Sequence, residues 1–414
     1  MSEYLTNTTD LTAVADAIRA KGGTSVQLVF PAGFVSAINA IQAGGSASAI
    51  SPSDITFYDY DGTVVAAWTL EELSNKSTLP DIPIHNGLTS QGWNWTLAEL
   101  KSENRKANVG AMYVTDDGKT RIYIHLVEGR TSPMLGICPN GTVSVDWGDG
   151  TTPDTLTGTS LSTVKWTSVH EYAEPGDYVI KLTHTGTIGL TGSPTANQYA
   201  NLLRADSGTD VRNQIYANSI TKIEFGAADS IILSKYALRN CYGIESITIP
   251  SNLTVNGAAA MQSCKKLRYM VIPSGTYSIQ SDMLRDCTLL HTVSIPKSAE
   301  YLSNNIFYGD SLVQNFPIPS SATFFGTALF YGCVMLTYMF VPPGVTSIGN
   351  NTFNGCGGMR VYDFTQHTAV PTLANTNAFT GIASDCEIRV SSSLVDTWKA
   401  ATNWATYADH IVGV

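Results

Sequence analysis

The sequence predicts a mainly β, multidomain chain that ends in a solenoid of 23-residue rungs. Three observations carry that prediction. Cys241, Cys264, Cys287, Cys333 and Cys356 fall on one period, and Asp310 fills the only gap in the column. Apolar residues keep step with them. Ile244, Leu267, Leu290, Val313, Leu336 and Met359 lie three residues on; Ile247, Met270, Val293, Phe316, Met339 and Tyr362 six on; Ile249, Ile272, Ile295, Ile318, Val341 and Phe364 eight on. Proline then closes five of the six units, from Pro250 to Pro342. Several columns holding register at a period in the 20–50 range mark a stacked repeat.

Positions +6 and +8 from the column alternate with +5 and +7, so each unit carries a short strand with one inward face. Proline past the strand cannot continue a ladder and starts the turn. The apolar residue three before each cysteine (Leu238, Met261, Leu284, Phe307, Phe330, Phe353) supplies the opposite wall. At about 4.8 Å per rung, six rungs make a sheet about 29 Å long. The cysteines read as reduced, buried, small hydrophobes. On that reading Cys287→Ser buries a hydroxyl without a ready partner, at a cost on the order of 1–3 kcal/mol. The unit resembles the BspA-like bacterial leucine-rich repeat, with its A-F-x-x-C-x-x-L-x-x-I-x-I-P pattern, over roughly residues 218–414; repeats are expected over 220–389. Residues 390–414 look like the terminal helix and tail of such arrays, with Leu394, Trp398 and Trp404 available to lid the last rung.

In chain order, residues 1–43 read as two short helices. Leu11, Val14, Ala15 and Ile18 line one face of the first, and Phe34, Ile38 and Ile41 one face of the second. Helices this short need a partner surface. The segment Leu11–Phe34 resembles the N-terminal region of structural proteins from phages and prophages of Firmicutes, which implies attachment to other virion proteins and oligomerisation, as a homotrimer by analogy. Residues 44–49 are a Gly/Ser linker. Residues 50–137 read as a small α+β module, with an Asp-Gly turn at Asp61-Gly62, capped helical turns after Trp68 and Trp95, and a hairpin turn at Asp116–Lys119. Trp93 and Trp95 read as core, with a sugar-stacking platform as the alternative.

In residues 138–190, the run Asp146-Trp147-Gly148-Asp149-Gly150-Thr151 is followed by His170-Glu171-Tyr172 and by alternating Tyr178, Ile180 and Leu182. These signatures resemble the PKD-like β-sandwich, a spacer or adhesive module. Asp146, Asp149 and Asp154 offer turn caps, with calcium as the alternative. Residues 191–219 read as the transition into the solenoid.

Net charge is −10 with no Lys/Arg run, which argues against nucleic acid as a partner. No apolar run is long enough for membrane insertion, and neither a signal peptide nor an anchor is visible. No nucleophile motif, phosphate loop or Cys/His metal cluster stands out, so no catalytic residue, metal or cofactor is expected. His125 and His170 show no carboxylate partner by spacing.

These readings predict a virion-associated tail-fibre or receptor-binding protein. The alternatives are a bacterial surface adhesin of the BspA type and a tail-associated polysaccharide hydrolase. The outward strand positions predict where a host-surface glycan or protein binds: the rings of Tyr269, Tyr338 and Phe340, flanked by Arg268, His291 and Arg360 at +4. A covering domain or subunit is the alternative for those rings.

Overall fold

A computed structural model of the chain describes residues 54–190, 202–205, 211–226, 230–255, 257–314 and 316–414. The helices expected in 1–43, the linker at 44–49, most of 191–210 and Asn315 lie outside the described residues.

The first described layer is small. Strands β1 (Ile55–Tyr58) and β2 (Val64–Trp68) form the expected hairpin across Asp61-Gly62. Helix α1 (Leu70–Asn75) follows, then β3 (Leu88–Trp93), α2 (Leu97–Glu103) and β4 (Ala107–Thr115). Both helices start where the sequence places them. Thr69 with Glu72, and Thr96 with Glu99, close reciprocal capping boxes that satisfy two orphan backbone donors each. The sheet order is β2-β1-β4-β3, over a core of Phe57, Trp68, Trp93, Trp95, Leu100 and Tyr113. The tryptophan pair is therefore interior.

This layer ends at Thr115, not at residue 137. The turn at Asp116–Lys119 is not a hairpin: β4 pairs β1 and β3, whereas β5 (Thr120–Leu126) pairs strands of another sheet. The reason lies in what takes the backbone donors there. Thr115 N–H donates to the Phe225 carbonyl at 2.9 Å, and Gly226 N–H to Thr120 Oγ1 at 3.0 Å, so the turn hands the chain across to the first repeat.

Strands β6 (Met134–Asp146), β7 (Asp154–Thr159), β8 (Lys165–Trp166) and β9 (Gly176–Leu190) carry the Trp-Gly-Asp-Gly turn. Ile180 and Leu182 are buried and alternate as expected. Instead of closing a separate sandwich over 138–190, these strands join a 10-stranded sheet that runs on into the repeats: β10 (Leu203–Arg204), β6, β9, β5, β11 (Ile220–Glu224) and β13 (Ser246–Ile247) in order. Strand β12 (Ile231–Leu233) pairs β9 in parallel and β14 (Leu253–Val255) on its other side. One apolar cluster extends from Met112 through Trp147 to Ile411.

The repeats build a β-solenoid of about 8 turns with ~23-residue rungs. Each turn has a front strand, a back strand and a third side of stacked turns. The front continues after β13 as β15 (Tyr269–Val271), β17 (Thr292–Ser294), β20 (Tyr338–Phe340), β22 (Val361–Asp363) and β24 (Glu387–Val390). The back continues after β14 as β16 (Ser278–Ile279), β18 (Tyr301–Leu302), β19 (Phe324–Phe325), β21 (Ser347–Ile348) and β23 (Thr372–Leu373). Positions +6 and +8 point inward in all six units. Ile279, Leu302, Phe325 and Ile348 of the back strands meet them from behind.

On the third side, successive turns hydrogen-bond to each other, as Leu238 N–H does to Ala260 O at 2.7 Å. Each turn needs two left-handed residues four apart. The first set is Tyr236, Ala259, Asp282, Asn305, Ala328 and Asn351, with φ between 51° and 63°. The second passes from Asn240, Ser263 and Asp286 to Gly309, Gly332 and Gly355.

All seven cysteines are free and buried. The column cysteines have acceptors: Cys264, Cys287, Cys333 and Cys356 donate to carbonyls of the preceding rung at 3.3, 3.4, 3.2 and 3.1 Å. A serine at 287 thus has the Met261 carbonyl available, which corrects the expectation of an orphaned hydroxyl. Helix α3 (Val395–Ala400) and strand β25 (Ile411–Gly413) close the far end, with Trp398 and Trp404 buried against Phe364.

Candidate functional site

The outward front column behaves in two ways. In the early rungs it is roofed. Gly110 of β4 lies against Tyr269 and Val271, and a Cβ added there would sit 2.6 Å from Val271 and 2.7 Å from the Tyr269 hydroxyl. Asn94 donates to Ile272 O at 2.9 Å, and the Trp95 indole to Ile295 O at 2.8 Å. Ser294 Oγ donates to Asn108 O at 2.6 Å. The Glu103 carboxylate accepts from both N–H and Oγ of Ser320 at 2.7 Å. Tyr269 is therefore only 2 % exposed, its ring 5.2 Å from that of Tyr58. This removes Tyr269 from the expected binding strip: the α+β layer covers it.

Further along, Tyr338 is 43 % exposed and donates to Asp363 Oδ2 at 2.8 Å. Phe340 is half-buried, because the Arg105 guanidinium lies 3.8 Å over its ring. Tyr338 and Phe340 share one strand, three rungs from Tyr269. Arg268 is exposed, and His291, on the next rung, is kept below the usual imidazole range by burial and then by the Arg268 charge. Arg360 is exposed and reaches toward Asp385 at 3.7 Å. The six residues do not gather at one place.

The back sheet carries a column that the sequence reading missed. Tyr277, Tyr301 and Phe324 are 52 %, 41 % and 36 % exposed on successive rungs. Their ring centroids step by 5.2 and 6.4 Å. Glu300 and Thr323 line the same edge. The Tyr277 hydroxyl is pushed up to about 12 by desolvation and by hydrogen bonds with Tyr301 and Glu300, so it stays a neutral donor at ordinary pH. Exposed rings beside a carboxylate and hydroxyls can stack on apolar faces while bonding polar edges. The available signal was alternation, but only on the two later rungs: Tyr301 and Phe324 each precede a buried apolar residue, whereas Ser278 holds that place before Ile279 and Tyr277 lies one residue earlier.

Three histidines do have carboxylate partners. His85–Asp59, His125–Asp177 and His170–Asp149 are each 2.7 Å apart. The partners of the last two were not identifiable by spacing in the sequence. His125 faces Asp177 directly across the β5–β9 ladder, a relation spacing does not reveal. His170 stacks on Trp147 at 4.5 Å. Burial alone raises the Asp149 carboxyl, but hydrogen bonds from Thr151 and His170 outweigh it and hold it low.

The three candidate calcium aspartates are already engaged. Asp146 accepts from Gly148 N–H, Asp149 from Thr151 and Asp154 from the Trp147 indole. Among the described residues, no group of three or more His, Cys, Asp or Glu side chains gathers as for a metal, and no helix is long and apolar enough to cross a membrane.

Residues 209–337 and 307–396 match the model of the BspA type leucine-rich repeat region, in 6 copies. The repeat domain is of the BspA leucine-rich type. A leucine-rich repeat protein from Bacteroides ovatus is 26 % identical over 33 % of this chain and 34 % of its own, with a TM-score of 0.30. The T. pallidum leucine-rich repeat protein is 20 % identical over 34 % of this chain and 64 % of its own, at 0.28. A leucine rich cell surface protein from Faecalibacterium prausnitzii is 16 % identical over 51 % and 84 %, at 0.21. The chain thus spans about a third of the first protein's length and under two thirds of the second's. No curated protein matches the chain.

Proposed function

We propose that the chain is a non-enzymatic adhesive protein whose repeat domain attaches to a glycan or protein on a bacterial surface. The observation that carries this is the open aromatic column of Tyr277, Tyr301 and Phe324 on a rigid sheet. Rings held out by a scaffold lose little freedom on binding, which favours recognition. The BspA type of the repeat supports an adhesion-type role.

Two settings fit that role. In one, the chain is a tail-fibre component, with residues 1–43 joining other virion proteins and forming the trimer; the likeness of that segment to phage structural proteins favours it. In the other, it stands on a bacterial cell surface, as the repeat type favours. Immunogold microscopy of virions and of cells separates them.

The role itself is tested by fluorescent protein on a panel of Firmicutes cells. The triple variant Tyr277→Ser, Tyr301→Ser and Phe324→Ser should lose attachment at least tenfold, with circular dichroism and mass unchanged. Undiminished attachment, or none by the parent protein, overturns the proposal. Release of reducing sugar from wall polysaccharide would favour a hydrolase instead.

A further inference from the structure

The back sheet presents its aromatic rings in single file. Tyr301 and Phe324 are paired residues of neighbouring parallel strands, and Tyr277 stands one position before the strand on the rung ahead. The next rung carries Ser347 in the same column, so the aromatic run is three rungs long. Its outward neighbours are Ser278 and Gln280, Glu300 and Ser303, and Thr323 and Gly326, all polar or small. The apolar band is therefore one ring wide.

That shape discriminates between ligands. A protein partner needs an apolar anchor set in desolvated surroundings, and a band one ring wide with polar residues on both sides supplies none. Nor can an extended peptide add a strand there, since β18 and β19 each pair on both sides and leave no free edge. A pyranose chain meets the shape. In an equatorially linked glycan each sugar presents an apolar face of C–H bonds and a rim of hydroxyls. Successive sugars recur at about one ring length, which the steps of 5.2 and 6.4 Å match. The apolar faces stack on aromatic rings, and the rim hydroxyls meet Glu300, Ser303 and Thr323, which accept or donate hydrogen bonds.

Two further observations narrow the class. Glu300 is the only charged residue among the six neighbours, and a carboxylate beside the rings repels uronate, sulfate and phosphate groups at close range. The rings turn by 52° and then 37° from one to the next. No flat crystalline surface touches all three, whereas a single chain that twists from sugar to sugar does. Hydrogen bonds among Tyr277, Tyr301 and Glu300 hold the first two rings before a ligand arrives, which lowers the ordering cost of binding.

We propose that Tyr277, Tyr301 and Phe324 form three consecutive subsites for a single uncharged, β-linked glycan chain. This rests on the adhesive reading of the same column and names its ligand class.

The test uses the full chain and soluble oligosaccharides, apart from any cell assay. In calorimetric titration with cello- and chito-oligosaccharides of two to five residues, at least one series should bind. Its affinity should rise at least tenfold from two residues to three, and less than threefold from three to five. Maltotriose, which is α-linked, and hyaluronan fragments, which are β-linked but acidic, should each bind at least tenfold more weakly. Glu300→Gln should narrow the hyaluronan deficit at least threefold. Phe324→Ser should move the plateau from three residues to two, with circular dichroism unchanged. No saturable binding by either series, or affinity independent of length, overturns the proposal whatever the variants do. Hyaluronan bound as tightly as the neutral chain overturns the uncharged assignment, and maltotriose bound as tightly overturns the linkage. If the triple serine variant loses cell attachment while the parent binds neither series, the adhesive reading stands and the glycan assignment falls. Length-dependent glycan binding with undiminished attachment of the variant gives the converse.

Discussion

Tyr269 and Tyr338 occupy the same column of the same strand face, three rungs apart, yet one is sealed and the other is open. Nothing within either rung accounts for this. The difference is Gly110, Asn94, Trp95 and Asn108, supplied by a layer that ends more than 150 residues before Tyr269. Periodicity therefore states which way a side chain points, while a distant segment decides whether it meets water.

The comparison is tested most directly at the two tyrosines. Tyr269→Ser should destabilise the protein by about 3–5 kcal/mol, as for truncating a buried aromatic. Tyr338→Ser should stay within about 0.5 kcal/mol, as for an ordinary surface change. Denaturant melts that move equally for the two variants would show that the roof does not seal Tyr269.

A smaller effect is expected at the roof itself. Gly110→Ala puts a methyl group into Val271 and the Tyr269 hydroxyl, and overpacking of that kind costs about 1–3 kcal/mol. Hydrogen exchange at Val271 should accelerate in this variant and hardly change at Phe340. Acceleration at both would mean that roofed and open rungs open together.

Asp310 offers a third handle, since its rung lies between the two tyrosines. It takes a cysteine's place in the column, is fully buried, and neither carboxyl oxygen has a partner. Burial pushes its carboxyl well above the usual range. The folded state therefore holds the proton more tightly than the unfolded chain does. Stability is fully present below the unfolded value of about 4, falls as pH rises toward the folded value, and is flat beyond. Asp310→Cys should raise stability at pH 7 by an amount on the order of 1–3 kcal/mol, with the gain shrinking toward pH 4. A gain independent of pH would mean that the carboxyl is not the source. One sharpened transition, seen by probes in both roofed and open rungs, would show that they melt as a unit.

Much of the fold was legible in the sequence, because stacked rungs repeat their core chemistry. The +6 and +8 positions, the capping boxes at Thr69 and Thr96, and the tryptophan lid all follow from local pattern. The roof was not legible, because Asn94 reaches Ile272 across 178 residues and no local period encodes that contact. The merging of β6–β9 with the repeats was hidden for the same reason: Lys222 pairs with Tyr123 on one side and Ser246 on the other. The Tyr277–Phe324 column was missed because Tyr277 precedes its back strand by one residue while Tyr301 and Phe324 begin theirs.

Strand β9 has a kinetic consequence. Its first half pairs β5, and its last three residues pair β12 in parallel, so the antiparallel region presents ready-made edges to both the front and back series of the solenoid. Parallel rungs are slow to start, because each pairing must first close a loop of about one repeat. Within the antiparallel region, β6 and β7 close over a short connection, Val145 pairing with Asp154, and have no such handicap. A chain built this way can assemble directionally, each new rung adding to an edge already in place, so the order of folding follows the order of synthesis.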